Sequence, residues 1–431
     1  MSMPRLATWS LLLVLVACSS PVASHSGGGT PSSMSPSASS ASPRTSTSPA
    51  LNGTASLMCT SPIPRSGQLA LVSLDSHTAA IDLVSNPSQP QRLCLINNVF
   101  TSAPAAVGPR FLSRSDVSYV GLGSPGGILR LNLATGISTA VVSWNSGGFL
   151  AGAYGWSPDR ESVAYLSWGT PTQTGSDPLE LRLMSRGADR LLATLPAVPG
   201  RGGSPEDSAL VAFSPDGQYF ALVETWTGPG WGEQAPFQVR RADGTLVAAY
   251  PSSPGGVTTS IVLSGKRTMA VWAGTGSSLY FRDANPDPSV RRSAGVERWD
   301  PQSNTTMVMP GVQWYSPAAS PDGRWIAYTV PDSQGMPQVA LLDLTTGRSS
   351  PPSNLGRTSP AFIAPGLVWY AGVRRCTDAE AQADPLTRIC GGLGLPDFPR
   401  TGQEFLYDPL AQQETSTRLG ALGVLDIWPK A

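Results

Sequence analysis

Hydrophobic positions in this chain come in short runs, each cut by Gly, Pro, Asp or Ser. The clearest case is Phe213-Ser214-Pro215-Asp216-Gly217-Gln218-Tyr219-Phe220-Ala221-Leu222-Val223: apolar, then a tight polar turn, then apolar and aromatic again. Asp-Gly between two β-prone runs predicts a hairpin, because glycine supplies the backbone angles of the turn cheaply. The arrangement recurs at Gly155-Trp156-Ser157-Pro158-Asp159-Arg160 before Val163-Ala164-Tyr165-Leu166. It recurs again at Ala319-Ser320-Pro321-Asp322-Gly323 before Trp325-Ile326-Ala327-Tyr328. A hairpin that returns at multiples of roughly 50 residues is an internal repeat.

Extending the pattern divides the chain into four-stranded units at about 111–143, 153–197, 209–250, 268–311, 314–353 and 358–418, the last with a long insertion. Three further strands, Gln68–Val72, Ala79–Leu83 and Arg92–Ile96, lack a fourth, which Val424-Leu425-Asp426-Ile427-Trp428 can supply. No amphipathic pattern sustains three turns of helix. The expectation is an all-β chain, a β-propeller of seven four-stranded blades closed by a C-terminal strand, which leaves no large open edge. Six or eight blades are the alternatives, since 268–311 is weakly marked.

The Ser-Pro-Asp-Gly turn followed by an apolar-Ala-aromatic strand resembles the WD40-like propeller repeat of the TolB type (PD40), which also occurs in the propellers of prolyl-oligopeptidase-like peptidases. The chain departs from TolB itself, because a Ser/Pro-rich segment stands where TolB has an α/β domain. It departs from the peptidases, because no Gly-x-Ser-x-Gly elbow or hydrolase domain follows. The resemblance implies fold and not function.

The first residues belong to targeting. After Arg5, the run Leu11-Leu12-Leu13-Val14-Leu15-Val16-Ala17 ends at Cys18. It is shorter than the roughly 20 residues of a membrane span and fits a signal-peptide core. Leu15-Val16-Ala17-Cys18 resembles the bacterial lipobox, which implies a diacylated Cys18. An ordinary secretory signal is the alternative. Residues 1–17 are thus expected to be a lipoprotein signal peptide and 18–58 a disordered Ser/Pro/Ala-rich tether with a reach of roughly 35 Å. The propeller should occupy 59–431. Cys18 would hold it outside the cytoplasmic membrane, or on the outer membrane of a Gram-negative cell.

Composition narrows the function. Charged residues are 13% of the chain and formal net charge is zero, with no basic cluster, so nucleic acid is not an expected partner. The two histidines are His25 in the tether and His77 in the first unit, so no Ser/His/Asp or Cys/His catalytic set assembles around them. No metal or cofactor site is expected. Asp159, Asp216 and Asp322 read as turn formers that hydrogen-bond their own backbone. Gly121-Leu122-Gly123-Ser124-Pro125-Gly126 satisfies a dinucleotide fingerprint as a string, but a strand follows where a nucleotide site needs a helix, so it reads as a hairpin loop.

Beyond Cys18, four cysteines remain, an even number for an exported chain. Of three possible pairings, Cys59–Cys94 would pin the start of the head to its first blade and Cys376–Cys390 would close the last insertion. Free buried thiols are the alternative.

The long connections fall between second and third strands, on one face: Trp168–Pro178, Trp226–Pro236, Asp283–Ala294 and about 373–403. Long loops on one side of a rigid scaffold are where binding usually resides. Trp168, Trp226, Trp231, Arg291, Arg292, Arg374 and Arg375 are the candidate binding residues, of the types enriched at hot spots. Alternatively, Trp226 and Trp231 fold over the blade edge as local core. The expected role is non-catalytic binding of an envelope protein or polysaccharide through this face. The competing readings are a hydrolase or lyase with carboxylates in the central channel, and a structural or sensory module whose partner is another envelope lipoprotein.

Overall fold

The computed structural model describes residues 54–86, 89–99, 101, 108–121, 126–144, 150–168, 179–195, 210–223, 237–250, 270–282, 295–350, 353–383 and 398–429. They form seven antiparallel sheets, one per predicted unit. In chain order, blade 2 starts at Arg110–Ser113, blade 3 at Leu150–Trp156, blade 4 at Leu210–Phe213, blade 5 at Ala270–Ala273, blade 6 at Tyr315–Ala319 and blade 7 at Arg357–Ala364. These first strands lie innermost, against one another around the central channel. Blade 1 takes its innermost strand, Gly423–Trp428, from the C-terminal end, paired with Leu69–Ser73. Seven four-stranded blades with C-terminal closure are what the repeat pattern predicts. The weakly marked unit at 268–311 is a complete blade.

Alternation explains how short strands hold such a ring. Successive side chains of a strand point to opposite faces, and each propeller sheet has a neighbour on both. In Leu69–Ser73, Leu69 and Leu71 join Phe111, Val117 and Tyr119 of blade 2, whereas Ala70 and Val72 join Ile363 and Trp369 of blade 7. The same partition repeats around the disc and makes seven apolar clusters, one between each pair of neighbouring blades. Central strands are therefore near-continuous apolar runs. Where blades approach most closely, only glycine fits: a Cβ on Gly155 of blade 3 would stand 2.2 Å from the Val211 carbonyl oxygen of blade 4.

The Ser-Pro-Asp-Gly turns link first to second strands. In each, the serine hydroxyl donates to the aspartate (2.5 Å at Ser157–Asp159, 2.6 Å at Ser214–Asp216, 2.5 Å at Ser320–Asp322). That carboxylate oxygen also accepts the backbone amide two residues on, and the serine oxygen accepts the amide five residues on. The aspartates thus form turns, as expected, and two of the turns also tile onto neighbours. Ser277 of blade 5 donates to the second oxygen of Asp216 (2.5 Å), and a Cβ on Gly323 would meet the Gly274 carbonyl carbon at 2.7 Å. The repeat motif therefore serves both the hairpin and the seam.

Blade 1 gains a fifth strand, Ser56–Cys59, on the outer edge of Gln91–Asn97. Cys59 stands directly opposite Cys94 and is bonded to it, the expected pairing. Cys376 is also disulfide-bonded, while Cys390 lies outside the described residues. The helix among the described residues is Asp378–Ala383, and none is long and apolar enough to cross a membrane.

Candidate functional site

Strand order sorts the connections between two faces. Turns joining first to second and third to fourth strands share one face, and the longest of them is residues 84–90. Connections from second to third strands, and from one blade to the next, share the other. These include 169–178, 224–236, 283–294 and 374–399. They also include the inter-blade segments 196–209 and 251–269, which carry no tryptophan to mark them in the sequence. The Gly121–Gly126 fingerprint is one of these connections, a second-to-third loop between Asp116–Gly121 and Gly126–Asn132.

Trp226, Trp231, Arg291 and Arg292 lie outside the described residues. The backbone of Trp168 ends the second strand of blade 3, at the rim of the loop face. Arg374 and Arg375 follow the second strand of blade 7, Leu367–Val373. The Arg374 guanidinium grips Glu380 with two hydrogen bonds of 2.7 and 2.6 Å, and those bonds pull the Glu380 carboxyl down to about 2. Arg375 donates to the backbone and side-chain oxygens of Gln334, 3.1 Å each, on the corresponding loop of blade 6. The two arginines anchor the base of the insertion and tie it to the neighbouring blade. Glu380 and Gln334, which complete these contacts, carry no mark in the sequence that pairs them with the arginines.

The channel holds a different chemistry. Among the described residues of the innermost strands, Asp426 is the one carboxylate. Its Oδ2 accepts the Phe111 amide of blade 2 at 3.0 Å and faces Arg160 of blade 3 at 3.5 Å. Burial lowers the Arg160 guanidinium from its ordinary range against the opposing pull of Asp426. Burial also lifts the nearby Tyr154 phenol to about 12, and its hydroxyl donates to the Gly108 carbonyl. This cluster joins blades 1, 2 and 3; the paired carboxylates of a channel hydrolase are not assembled in it. His77 sits on an exposed turn of blade 1, its Nδ1 2.7 Å from the Ser76 hydroxyl. Among the described residues, no group of three His, Cys, Asp or Glu side chains is placed to hold a metal.

A third feature has no counterpart in the sequence pattern. A cavity of about 470 Å³ opens between the outer strands of blades 6 and 7. Its floor is Trp325, Val339, Leu341, Tyr370 and Tyr407, and Thr346, Arg348, Asn354 and Gln412 stand around its rim. It exists because the fourth strand of blade 6 is only Arg348–Ser349. Pro351 and Pro352, which follow, have no backbone N–H to give to a ladder.

No protein-family model and no curated protein matches this chain. Solved structures do. TolB from Acinetobacter baumannii is similar at 17% identity over 69% of this chain and 67% of its own, with a TM-score of 0.37. An oligogalacturonate lyase in complex with manganese is similar at 10% identity over 74% and 87%, TM-score 0.45. A prolyl endopeptidase is similar at 13% identity over 85% of this chain and 50% of its own, TM-score 0.47. The likeness is one of propeller fold.

Proposed function

We propose that this chain is a lipid-anchored propeller of the cell envelope whose loop face binds another envelope macromolecule without catalysing a reaction. Diacylated Cys18 and the tether, which would end before the strand Ser56–Cys59, would display the head outside the membrane. The observation that supports binding is an asymmetry of the connections: apart from the lead-in segment 60–68, the turns on one face are no longer than 84–90, whereas 169–178, 224–236, 283–294 and 374–399 join second to third strands at the other. Rigid scaffolds place recognition on such loops.

Two measurements test the reading. Cys18→Ser should move the protein from the membrane to the soluble fraction; unchanged fractionation would remove the anchor. Cross-linking of the full chain in intact envelopes should yield one dominant adduct, lost when residues 225–236 are deleted and retained when a turn-face residue such as Thr135 is replaced by Ala. An adduct insensitive to the deletion would sink the tryptophan-loop assignment.

A further inference from the structure

The groove between blades 6 and 7 runs along their outer strands, from the turns that hold Thr346 and Gln412 to the inter-blade connection at Asn354, and takes in none of the loops that carry the candidate tryptophans and arginines. We propose that it is a second binding site, for a short saccharide segment. Its volume, about 470 Å³, lies within the range of roughly 300–1,000 Å³ typical of small-molecule sites.

Two other ligand classes are disfavoured by the lining itself. A cation would seek the carboxylates Asp343 and Glu414, but both are engaged. Arg357 forks onto Glu414 at 2.9 and 3.3 Å, and the Tyr370 hydroxyl donates to the same carboxylate. Burial raises the Glu414 carboxyl, yet the bonds from Arg357 and Tyr370 outweigh it and hold the group ionised. Asp343 faces Arg324 at 3.5 Å and accepts the Thr345 amide at 2.8 Å. A peptide would add as a strand along the outer edge of Pro337–Asp343, which requires free backbone groups. That edge is already satisfied. Leu341 and Val339 donate their amides to the hydroxyls of Ser350 and Ser353, and their carbonyls accept the Ser350 and Ser353 amides.

What is left is one partly exposed ring, Tyr407, beside the buried Trp325, Val339, Leu341 and Tyr370, under a rim of exposed amide, hydroxyl and guanidinium groups. A sugar ring matches that pairing. It lays a C–H face on an aromatic surface, and its hydroxyls both donate to and accept from Asn354, Gln412 and Thr346. Arg348 has no side-chain partner among the described residues, so a sugar carrying an acidic group would gain one further contact.

The test measures binding of the full chain in detergent by saturation-transfer NMR and calorimetry. The probes are a glucose tetramer, an N-acetylglucosamine tetramer, a glucuronate-containing tetramer and an extended tetrapeptide. At least one saccharide should bind saturably and the peptide should not. Tyr407→Ala should weaken that saccharide about tenfold, and Arg348→Ala with Gln412→Ala about threefold. Deleting residues 225–236 should leave the affinity unchanged, which separates this site from the loop face. Should Tyr407→Ala lose its cooperative melt, the double variant decides, since both its positions are exposed. Absence of any saccharide binding, binding of the peptide alone, affinity unchanged in the folded groove variants, or affinity lost in the deletion would each overturn the proposal.

Discussion

Blade 1 is completed at both edges by the ends of the folded chain, and the two edges are held by opposite means. Its inner strand, Gly423–Trp428, pairs with Leu69–Ser73 through five register positions and buries Ile427 and Asp426. Asp426 reaches two further blades, through the Phe111 amide and Arg160. The outer strand, Ser56–Cys59, has one partner strand, and three of its four residues are exposed. Burial cannot hold such a strand, and a covalent bond to Cys94 does. Closure is non-covalent where the ring supplies buried surface and covalent where it does not.

The sharpest way to break this contrast is at the inner edge. Asp426→Ala leaves the Arg160 guanidinium buried without its counter-charge and the Phe111 amide without an acceptor. Removing one partner of a buried pair costs about 3–5 kcal/mol. The loss should appear in urea unfolding as a lower midpoint for the whole ring, because the strand ties three blades together. Asp426→Asn, which keeps an acceptor for Phe111, should lose less. If the two variants unfold alike, the charge at this seam is immaterial.

At the outer edge the expected loss is smaller and local. Cys59→Ser with Cys94→Ala removes a cross-link across a 35-residue separation, for which about 2–4 kcal/mol is typical. Here that loss should fall on the Ser56–Cys59 strand. Protease should cut near residue 58 while the remaining ring keeps its near-ultraviolet circular dichroism. Loss of the ring signal would mean that the outer strand also belongs to the cooperative unit.

The same contrast, between what burial fixes and what it does not, governs how much of the molecule is legible in its sequence. Blade count, strand positions and inner closure are legible because both faces of every central strand are buried, so Leu69-Ala70-Leu71-Val72 and Tyr219–Val223 stand out as apolar runs. The turn motif stands out because Ser, Asp and Gly each have a fixed task in it. The Cys59–Cys94 bond is legible from even cysteine count and from position. The groove is not, since it arises from a strand that stops early. Its trace, Arg348-Ser349-Ser350-Pro351-Pro352, looks like any loop until the fold sets Tyr370 and Tyr407 of the next blade beside it. Arg374 and Arg375 look like free donors in the sequence because Glu380 and Gln334 meet them only through the fold.

Acid should probe the ground beside the outer edge. Asp116 of blade 2 is buried. Burial pushes its carboxyl up, but hydrogen bonds from Arg130 (2.9 Å), Ser113 (2.6 Å) and Ser115 (3.0 Å) prevail and hold it at about 2, against 3.8 in the free residue. A carboxyl depressed in the folded state stabilises above its unfolded value, and that contribution is lost as pH falls through the folded one. Stability should therefore decline between pH 3.8 and about 2. Asp116→Asn should flatten part of that decline, leaving the share of Asp159, Asp216 and Glu414, which are lowered too. An identical acid profile in the variant would show that Asp116 does not carry it.

The smallest effect, and the one that locates the boundary between the two edges, is at Arg114. From the first turn of blade 2 its guanidinium donates to the carbonyls of Pro64, Ser66 (2.5 Å) and Gly67 (2.9 Å), in the segment that leads from the outer strand into Leu69–Ser73. Arg114→Ala should cost about 1 kcal/mol or less, because the side chain is partly exposed and water replaces it at the three oxygens. Hydrogen exchange resolves the change better than unfolding does. Amides of 60–68 should exchange faster while those of Leu69–Ser73 and Gly423–Trp428 keep their rates. Faster exchange that spreads into Leu69–Ser73 would mean that the lead-in segment helps hold the inner closure, and the two edges of blade 1 would then have to be treated as one cooperative structure.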